Sequence, residues 1–261
     1  MVIIISLFFA LSLSLKNNSL NRYQLFRVYP AYEQMKSIDL MAWNITKIHP
    51  NTFTIVSSLR MLKLGKNRLA KLDDSVLRGQ FDLEVLDLSF NRLSNLSPKI
   101  FKDLRNLTKL LLNENILIEM SPWTFQPLVN LTHLDLSYNR LSSLRHAYFE
   151  GLTKLERLEL NDNDIASLWP YLFNDTVNLK HLLLQGNKLS ALDEQLFNRL
   201  EKLKELDLSH NLLVSLSPHL FKTFVHLRLL VVSQNEHVDE KSIDTIKNLS
   251  NLNKTRVFVH K

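Results

Sequence analysis

The sequence lacks cysteine entirely, and its 261 residues include only four glycines and seven prolines. Without cysteine the chain has no disulfide, no thiol nucleophile and no cysteine-ligated metal. So few glycines and prolines argue against collagen-like, linker-like and glycine-rich phosphate-binding designs over most of the length. We therefore expect regular structure along almost the whole chain, and a fold stabilised by packing alone.

A block of like charge is absent as well. The 32 basic and 26 acidic residues are interspersed, which leaves a net charge of +6 and an isoelectric point near 9.4. This distribution is typical of a mixed solvated surface rather than of a polyanion-binding stripe. Because arginines interleaved with aromatic base-stacking residues are also not evident, the sequence disfavours nucleic acid as a partner.

Beyond the N-terminus, no apolar stretch is long enough to form a transmembrane segment. Residues 2–15 are uncharged and mostly apolar, and the polar run 16–18 follows at once. This pattern predicts a signal peptide over 1–15, although no basic residue lies near its start. The alternative is an uncleaved apolar N-terminus that packs on the fold.

Sequons for N-glycosylation, Asn-x-Ser/Thr without proline in the middle, occur more often than the composition predicts. This excess supports secretion of the protein. The sequons begin at Asn17, Asn44, Asn95, Asn106, Asn130, Asn174, Asn248 and Asn253. We take the seven from Asn44 onward as candidate glycosylation sites.

Asparagine recurs at a fixed step of 24 residues through most of the chain. These residues are Asn67, Asn91, Asn115, Asn139, Asn163, Asn187, Asn211 and Asn235. Each lies in the frame L-x-x-L-x-L-x-x-N-x-L-x-x-L, followed by F-x-x-L, so the sequence is built of internal repeats. One copy consists of Leu83, Leu86, Leu88, Asn91, Leu93, Leu96, Phe101 and Leu104.

The frame predicts one short strand in each repeat, because L-x-L has the period of two that places leucines inward and the residues between them outward. The asparagine amide can satisfy backbone groups of adjacent coils and so form an internal ladder. A phenylalanine stack is predicted on the opposite side of the core, at Phe53, Phe101, Phe125, Phe149, Phe173, Phe197 and Phe221. Parallel strands lie about 4.8 Å apart while the returning segments need more room, so we expect an α/β-type repeat solenoid with a curved parallel β-sheet on the concave face.

This frame resembles the 24-residue class of leucine-rich repeats in extracellular proteins, including Toll-like receptor ectodomains and secreted arthropod immune proteins. The resemblance spans roughly 35–235 and implies a leucine-rich repeat horseshoe that binds proteins or microbial ligands, as in innate immunity or cell-surface recognition. The chain departs from that pattern because it lacks the cysteine-bearing caps that commonly close both ends.

The expected organisation is an N-terminal cap over 16–34, about nine repeats over 35–237 and a C-terminal cap over 238–261. In the degenerate first repeat, Trp43 takes the place of the ladder asparagine. The spacing of Ile243, Ile246 and Leu249 predicts a short amphipathic helix in the C-terminal cap.

Candidate binding residues lie on the outward face of the predicted strands. Aromatic rings and arginine are enriched at protein interfaces, and the histidines share a column with the arginine. The candidates are Phe90, His133, Asp135, Tyr138, Arg157, Glu159 and His181. Two alternatives stay open, since single exposed aromatics are often incidental and aspartate in L-D-L-S is common in this repeat class.

Neither catalysis nor a metal or other cofactor is expected. His133 and His181 lie two repeats apart, about 10 Å at strand spacing, and no trio of carboxylates completes a metal shell. His133 and Asp135 come nearest to a catalytic pair, but two neighbours on one strand face are more often a surface pair. An open sheet also offers no water-shielded pocket.

The predicted outward face is about 43 Å long and covers roughly 700 Å², about one side of a standard protein interface. The sequence therefore predicts a secreted, non-catalytic binding protein with a protein partner, and a microbial or glycan ligand is a further candidate. A receptor-type ectodomain fragment that pairs with a membrane receptor or with another copy of itself stays open, as does an intracellular adaptor with an uncleaved N-terminus.

Overall fold

A computed structural model describes residues 18–29, 32–249, 252 and 255–259. These residues form a continuous stack of about ten coils, and each coil contributes one strand to a single parallel sheet. The predicted signal peptide over 1–15 and the sequons at Asn17 and Asn253 lie outside the described residues.

The strands are short and are numbered in chain order. They are β1 (Ser19–Leu20), β2 (Ser37–Asp39), β3 (Lys47–Ile48), β4 (Met61–Lys63), β5 (Val85–Asp87), β6 (Lys109–Leu111), β7 (His133–Asp135), β8 (Ser143–Leu144), β9 (Arg157–Glu159), β10 (Ser167–Leu168), β11 (His181–Leu183), β12 (Glu205–Asp207), β13 (Leu229–Val231) and β14 (Arg256–Phe258). Ten of them form the main sheet, in the order β14-β13-β12-β11-β9-β7-β6-β5-β4-β2. Two small parallel pairs, β1 with β3 and β8 with β10, lie outside it.

The strand register follows the 24-residue repeat, as the pairs Leu62 with Leu86 and Leu86 with Leu110 illustrate. The middle residue is buried in every strand of the main sheet except β14, and its two neighbours are at least partly accessible on the outward face in most strands. One strand was not expected, since β14 arises within the segment predicted to be only a cap and pairs with β13. The described sheet thus has ten strands, where the sequence indicated nine.

The seven predicted phenylalanines are all fully buried. Ring centroids are 5.9 Å apart for Phe101 and Phe125, and 6.1 Å apart for Phe149 and Phe173. Adjacent strands lie only about 4.8 Å apart, so the returning side of each coil is wider than the strand side and the stack bends with the sheet inside. The leucine-rich repeat horseshoe with a concave parallel sheet is therefore confirmed.

An eighth buried phenylalanine changes the end of this stack. Phe224 inserts between Phe197 and Phe221, at centroid distances of 5.8 Å and 6.0 Å. At the other end, buried Leu77 occupies the place of a phenylalanine between Phe53 and Phe101. The aromatic stack is therefore less regular than the 24-residue step alone indicates.

The recurring asparagines bind three neighbouring backbone segments. The Nδ2 of Asn163 donates to the carbonyl of Leu136 at 3.0 Å and to that of Leu160 at 3.1 Å. Its Oδ1 accepts the backbone N–H of Leu141 at 3.0 Å. The same three contacts recur at Asn67, Asn91, Asn115, Asn139, Asn187, Asn211 and Asn235. Each amide thereby satisfies buried polar groups in its own coil and in the preceding one.

The residue before each ladder asparagine, and before Trp43 in the first repeat, has a left-handed backbone. From Ala42 to His210 its N–H donates to a carbonyl of the next coil, as from Phe90 to Asn113 and from Tyr138 to Asn161, each at 2.9 Å. The positive φ angles occur at Ala42, Lys66, Phe90, Glu114, Tyr138, Asp162, Gly186, His210 and Gln234. Because only one of the nine is glycine, the ladder and the inter-coil bonds impose a conformation that most of these residues disfavour.

Two helices flank the stack. Helix α1 (Arg22–Val28) begins with a capping box between Asn21 and Gln24 and buries Leu25. Helix α2 (Glu240–Lys247) begins at the N-cap Asp239, buries Ile246 and overlaps the segment in which the sequence predicted an amphipathic helix. In the part of the chain that the structure describes, no helix has the length and apolar character needed to cross a bilayer.

Candidate binding surface on the concave face

Three neighbouring strands hold most of the candidate residues. His133 and Asp135 are the two ends of β7, and Arg157 and Glu159 are the two ends of β9. The register aligns His133 with Arg157, Asp135 with Glu159, and Arg157 with His181 of β11. The sheet therefore brings these five side chains together at the centre of its outward face, where all five are partly buried.

Glu159 lies at the centre of this group. Its Oε1 is 2.7 Å from Nε of Arg157 and 3.4 Å from Nε2 of His133. The hydrogen bond from His133, together with the hydrogen bond and charge of Arg157, lowers the pKa of Glu159 from 4.5 to about 2. Glu159 is therefore a fixed anion held between two basic groups.

The ion-pair partner of His133 is Glu159 on the next strand, whereas the sequence pointed to Asp135 on its own strand. The register aligns His133 with Arg157, so Glu159 lies diagonally from His133, one strand across and two residues along. The longer side chain of Glu159 reaches Nε2 of His133, whereas the carboxylate of Asp135 accepts from Ser137. Sequence periodicity contains this information, because Glu159 lies one repeat and two residues after His133.

The carboxylate of Asp135 instead accepts hydrogen bonds from Ser137, just after the end of β7. Its Oδ1 accepts the backbone N–H of Ser137 at 3.0 Å and the hydroxyl of Ser137 at 2.6 Å. Burial raises the pKa of the Asp135 carboxyl, and the nearby charge of Glu159 raises it further. The same Asp-x-Ser contacts occur at Asp87 and Asp207. These bonds agree with the structural interpretation of aspartate in the L-D-L-S motif.

His181 extends the polar group towards the C-terminal strands. Its Nδ1 lies 2.8 Å from Oε2 of Glu205, the aligned residue on β12. Sequence reasoning did not select Glu205, although it follows His181 by one 24-residue step in the same column. A continuous polar row thus runs from His133 through Arg157 and His181 to Glu205.

The two candidate aromatic residues lie beside this row, each at a left-handed position. Phe90 is 44% exposed and Tyr138 is 50% exposed. The Nζ of Lys66 lies 5.7 Å from the ring centroid of Phe90, a cation–π contact. The charge of Asp162 and its hydrogen bond with the phenol raise the pKa of Tyr138. Two coils separate the rings, about 10 Å at strand spacing, so they are separate anchors rather than a stacked pair.

A second accessible area, at the C-terminal end of the sheet, was missed by the sequence analysis. Val225, Leu229 and Phe258 line a depression of about 740 Å³ together with Arg228 and Arg256. It exists because β14 adds an outer strand where only a cap was expected. The only signal for that strand in the sequence is the apolar run near the C-terminus.

None of the six described sequon asparagines lies on a strand of the sheet. Asn95, Asn106, Asn174 and Asn248 are exposed, and Asn44 and Asn130 are partly buried. The Nδ2 of Asn130 donates to the carbonyl of Arg105 at 2.8 Å, and its Oδ1 accepts from Lys154 at 2.6 Å. Asn106 and Asn130 line one depression with Thr108 and Thr132, the residues directly before β6 and β7, so sugars there would lie beside the start of these strands.

No group of three or more histidines, aspartates or glutamates among the described residues is arranged to hold a metal ion. His133 and His181 each contact a glutamate, and the polar row lies on an open sheet. What this arrangement offers is hydrogen-bonding and charged groups held in fixed positions on a broad surface.

The comparisons with known proteins agree with this architecture. Three overlapping segments, 81–141, 129–189 and 177–236, match the family described as leucine rich repeat. Together they cover more than half of the chain, which therefore belongs to the leucine-rich repeat family. No curated protein sequence matches the chain.

Two solved structures are similar in fold. One is a crystal structure of a TLR13–ssRNA13 complex, with 26% identity and a TM-score of 0.67 over 93% of this chain and 41% of that chain. The other is a Toll–Spatzle complex, described as a molecular hub in Drosophila development and innate immunity, with 24% identity and a TM-score of 0.70 over 89% of this chain and 34% of that chain.

The chain thus spans less than half the length of either neighbour. Both neighbours are similar to this chain over most of this chain's length, which supports the resemblance to Toll-like receptor ectodomains. The sequence argument against nucleic acid gains no support, because one neighbour is a complex with ssRNA13.

Proposed function

We propose that this chain is a secreted, non-catalytic binding protein that recognises a protein ligand on the concave face of its sheet. The observation that carries the proposal is the row from His133 to Glu205, flanked by the exposed rings of Phe90 and Tyr138. Polar groups held in place beside aromatic anchors are typical of protein interfaces.

The size of the surface favours a macromolecule. Ten strands about 4.8 Å apart give a sheet about 48 Å long, and about 17 Å of usable width gives an area near 800 Å². One partner in a standard protein complex buries about 800 Å². The concave face therefore matches a protein surface, and an extended microbial glycan is the second ligand class that it fits.

The geometry around Arg157 indicates how a ligand would bind. Glu159 engages Nε of Arg157, which leaves the two terminal nitrogens of the guanidinium to donate to a carboxylate or carbonyl of the ligand. Because Glu159 already orders this side chain, binding loses less conformational entropy. Tyr138 adds a ring with a hydroxyl beside the same row, and such a residue contacts both apolar and polar ligand groups.

Three observations support secretion and an extracellular role. The apolar segment 1–15 has the pattern of a signal peptide, and sequons occur in excess of chance. The similarity to Toll-like receptor ectodomains points to an extracellular or luminal protein of the innate-immunity class. A second candidate function is that of a receptor-type ectodomain portion that pairs with a membrane receptor or with its own copy, because the chain spans 41% of the TLR13 chain.

The test begins with expression in secretory eukaryotic cells and mass spectrometry of the medium. We expect a mature chain that begins near residue 16 and carries sugars on exposed sequons. An intact, unglycosylated chain retained in the cytosol would contradict secretion and favour the intracellular adaptor.

Ligand recognition is then tested on the secreted protein against a panel of extracellular proteins, microbial glycans and single-stranded RNA. A genuine concave-face ligand loses affinity at least about tenfold with Tyr138→Ala and with Arg157→Ala, since both remove interface anchors. The matched control Lys222→Ala changes an exposed residue on the returning side and should bind as the parent does. Binding of RNA alone, weakened by added salt, would replace the protein-ligand proposal with a nucleic-acid one.

A further inference from the structure

Two exposed aromatic residues flank a carboxylate on the returning side of the solenoid, away from the sheet. Trp123 and Tyr171 occupy the same place in repeats two coils apart, and they are 51% and 49% exposed. Glu150 belongs to the coil between them, and its Oε2 accepts the indole N–H of Trp123 at 3.1 Å. We call Trp123, Glu150 and Tyr171 the aromatic cleft.

A depression of about 340 Å³ opens at the aromatic cleft. Glu150 and Tyr171 line it together with Leu172, Asn174 and Asp175. Both charged residues in this lining are acidic, and Asp175 is anchored because its Oδ2 accepts the backbone N–H of Gly151 at 2.8 Å. The cleft therefore carries negative charge on a protein whose net charge is +6.

The charge of Glu150 is not compensated within the described part of the chain. The residues one repeat before and after it in the same column are neutral, Gln126 and Asn174. The ion pairs formed by the described residues leave Glu150 without a lysine, arginine or histidine partner. A carboxylate that contacts an exposed indole and lacks a counter-charge is available to a cation from outside.

Packing does not account for the exposed rings. Trp123 is about half exposed on this side of the molecule, whereas Trp43 is buried. The backbone of Trp123 is held at φ +60 by a bond from its N–H to the carbonyl of Ala147 at 3.2 Å. That turn does not need an indole, and tryptophan is the residue most often found at interaction hot spots.

We propose that the aromatic cleft binds an arginine or lysine side chain presented by a basic segment of a partner protein. A guanidinium or ammonium group stacks on an indole or phenol face through the cation–π interaction. The carboxylate of Glu150 accepts its N–H donors in a charge-assisted hydrogen bond. A neutral sugar would also stack on the rings, but it would not need an uncompensated acid between them. This surface is separate from the concave face. It requires Asn174, an exposed sequon asparagine in its lining, to carry no sugar.

The test is titration of the full folded chain with a hexa-arginine peptide, followed by tryptophan fluorescence and calorimetry. Trp123→Gly removes the ring and suits the positive φ, while Glu150→Gln removes the charge without changing shape. We expect each variant to weaken binding about threefold and the double variant about tenfold, as an exposed cation–π contact and an exposed ion pair predict. Phe81→Ala and Glu201→Gln remove an exposed ring and an exposed acid elsewhere, and both should bind as the parent does.

Two results would overturn the proposal. One is equal binding of the peptide by the parent, the two cleft variants and the controls. The other is binding of a neutral oligosaccharide that is lost in Trp123→Gly and kept in Glu150→Gln, which would identify a sugar-stacking surface. If Trp123→Gly fails to fold, as judged by circular dichroism, the isosteric Glu150→Gln variant decides alone.

Discussion

The Nε of Arg157 lies 2.7 Å from Oε1 of Glu159, two residues further along the same strand. Both side chains leave β9 on the same face, because side chains alternate along a strand. His133 approaches the same oxygen from the neighbouring strand at 3.4 Å. Two basic groups thus hold one carboxylate at the centre of the concave face before any ligand binds.

Replacing this carboxylate should make stability less dependent on pH. We expect Glu159→Gln to lower the free energy of unfolding at pH 7 by about 1.5–3 kcal/mol, the usual value of hydrogen bonds to a charged group. The folded-state pKa of about 2 lies below the ordinary 4.5, so the stabilisation is complete above about pH 4.5 and is lost as the pH falls towards 2. Urea unfolding at pH 7 and pH 3 should show a smaller difference between the two proteins at pH 3.

Asp135→Asn is the matched control for this prediction, because the sign of its effect is opposite. The pKa of Asp135 is raised in the folded state, so its charged form disfavours folding. The contribution of Asp135 to the free energy of unfolding therefore falls as the pH rises through that pKa. Asparagine keeps an oxygen that can accept from Ser137. We expect this variant to be as stable as the parent or slightly more stable at pH 7. A loss of stability as large as that of Glu159→Gln would contradict the assignment.

Loss of one ladder asparagine should weaken the whole stack. Asn163→Ala leaves the N–H of Leu141 and the carbonyls of Leu136 and Leu160 without their side-chain partner. We expect the free energy of unfolding to fall by about 2–4 kcal/mol, since unsatisfied buried polar groups cost about 1–3 kcal/mol each. Denaturant unfolding measures the loss, and Asn95→Ala, at an exposed position, should change stability by less than about 0.5 kcal/mol. Equal effects of the two variants would refute a special role for the ladder.

The left-handed positions should prefer glycine over alanine. At Glu114, which is exposed and has φ +54, we expect Glu114→Gly to be more stable than Glu114→Ala by about 1 kcal/mol. Both variants lose the same side chain, so only the backbone conformation distinguishes them. On β6 the order should reverse for Lys109→Gly and Lys109→Ala, because glycine weakens a strand. Thermal unfolding of the four variants tests this, and the same order at both sites would count against backbone strain.

The sequence by itself determined the repeat architecture. A ladder asparagine such as Asn91 and the L-x-L strand before it recur every 24 residues, and this periodicity encodes local structure and burial together. Each coil repeats the same contacts with its neighbours, so a pattern in the sequence predicts the contacts between coils. The confirmed horseshoe and the parallel sheet follow from that rule, and so does the burial of the seven predicted phenylalanines.

Only the tertiary structure decided the features that depart from the period. The pairing of Glu159 with both Arg157 and His133 depends on side-chain reach across two strands, and the insertion of Phe224 depends on the space left in the last coils. The contact between Trp123 and Glu150 likewise joins different places in adjacent repeats. Apart from the bond between Arg157 and Glu159 on one strand, these contacts join residues that are neither close in sequence nor one repeat apart, because the coiling of the chain sets the distance between them.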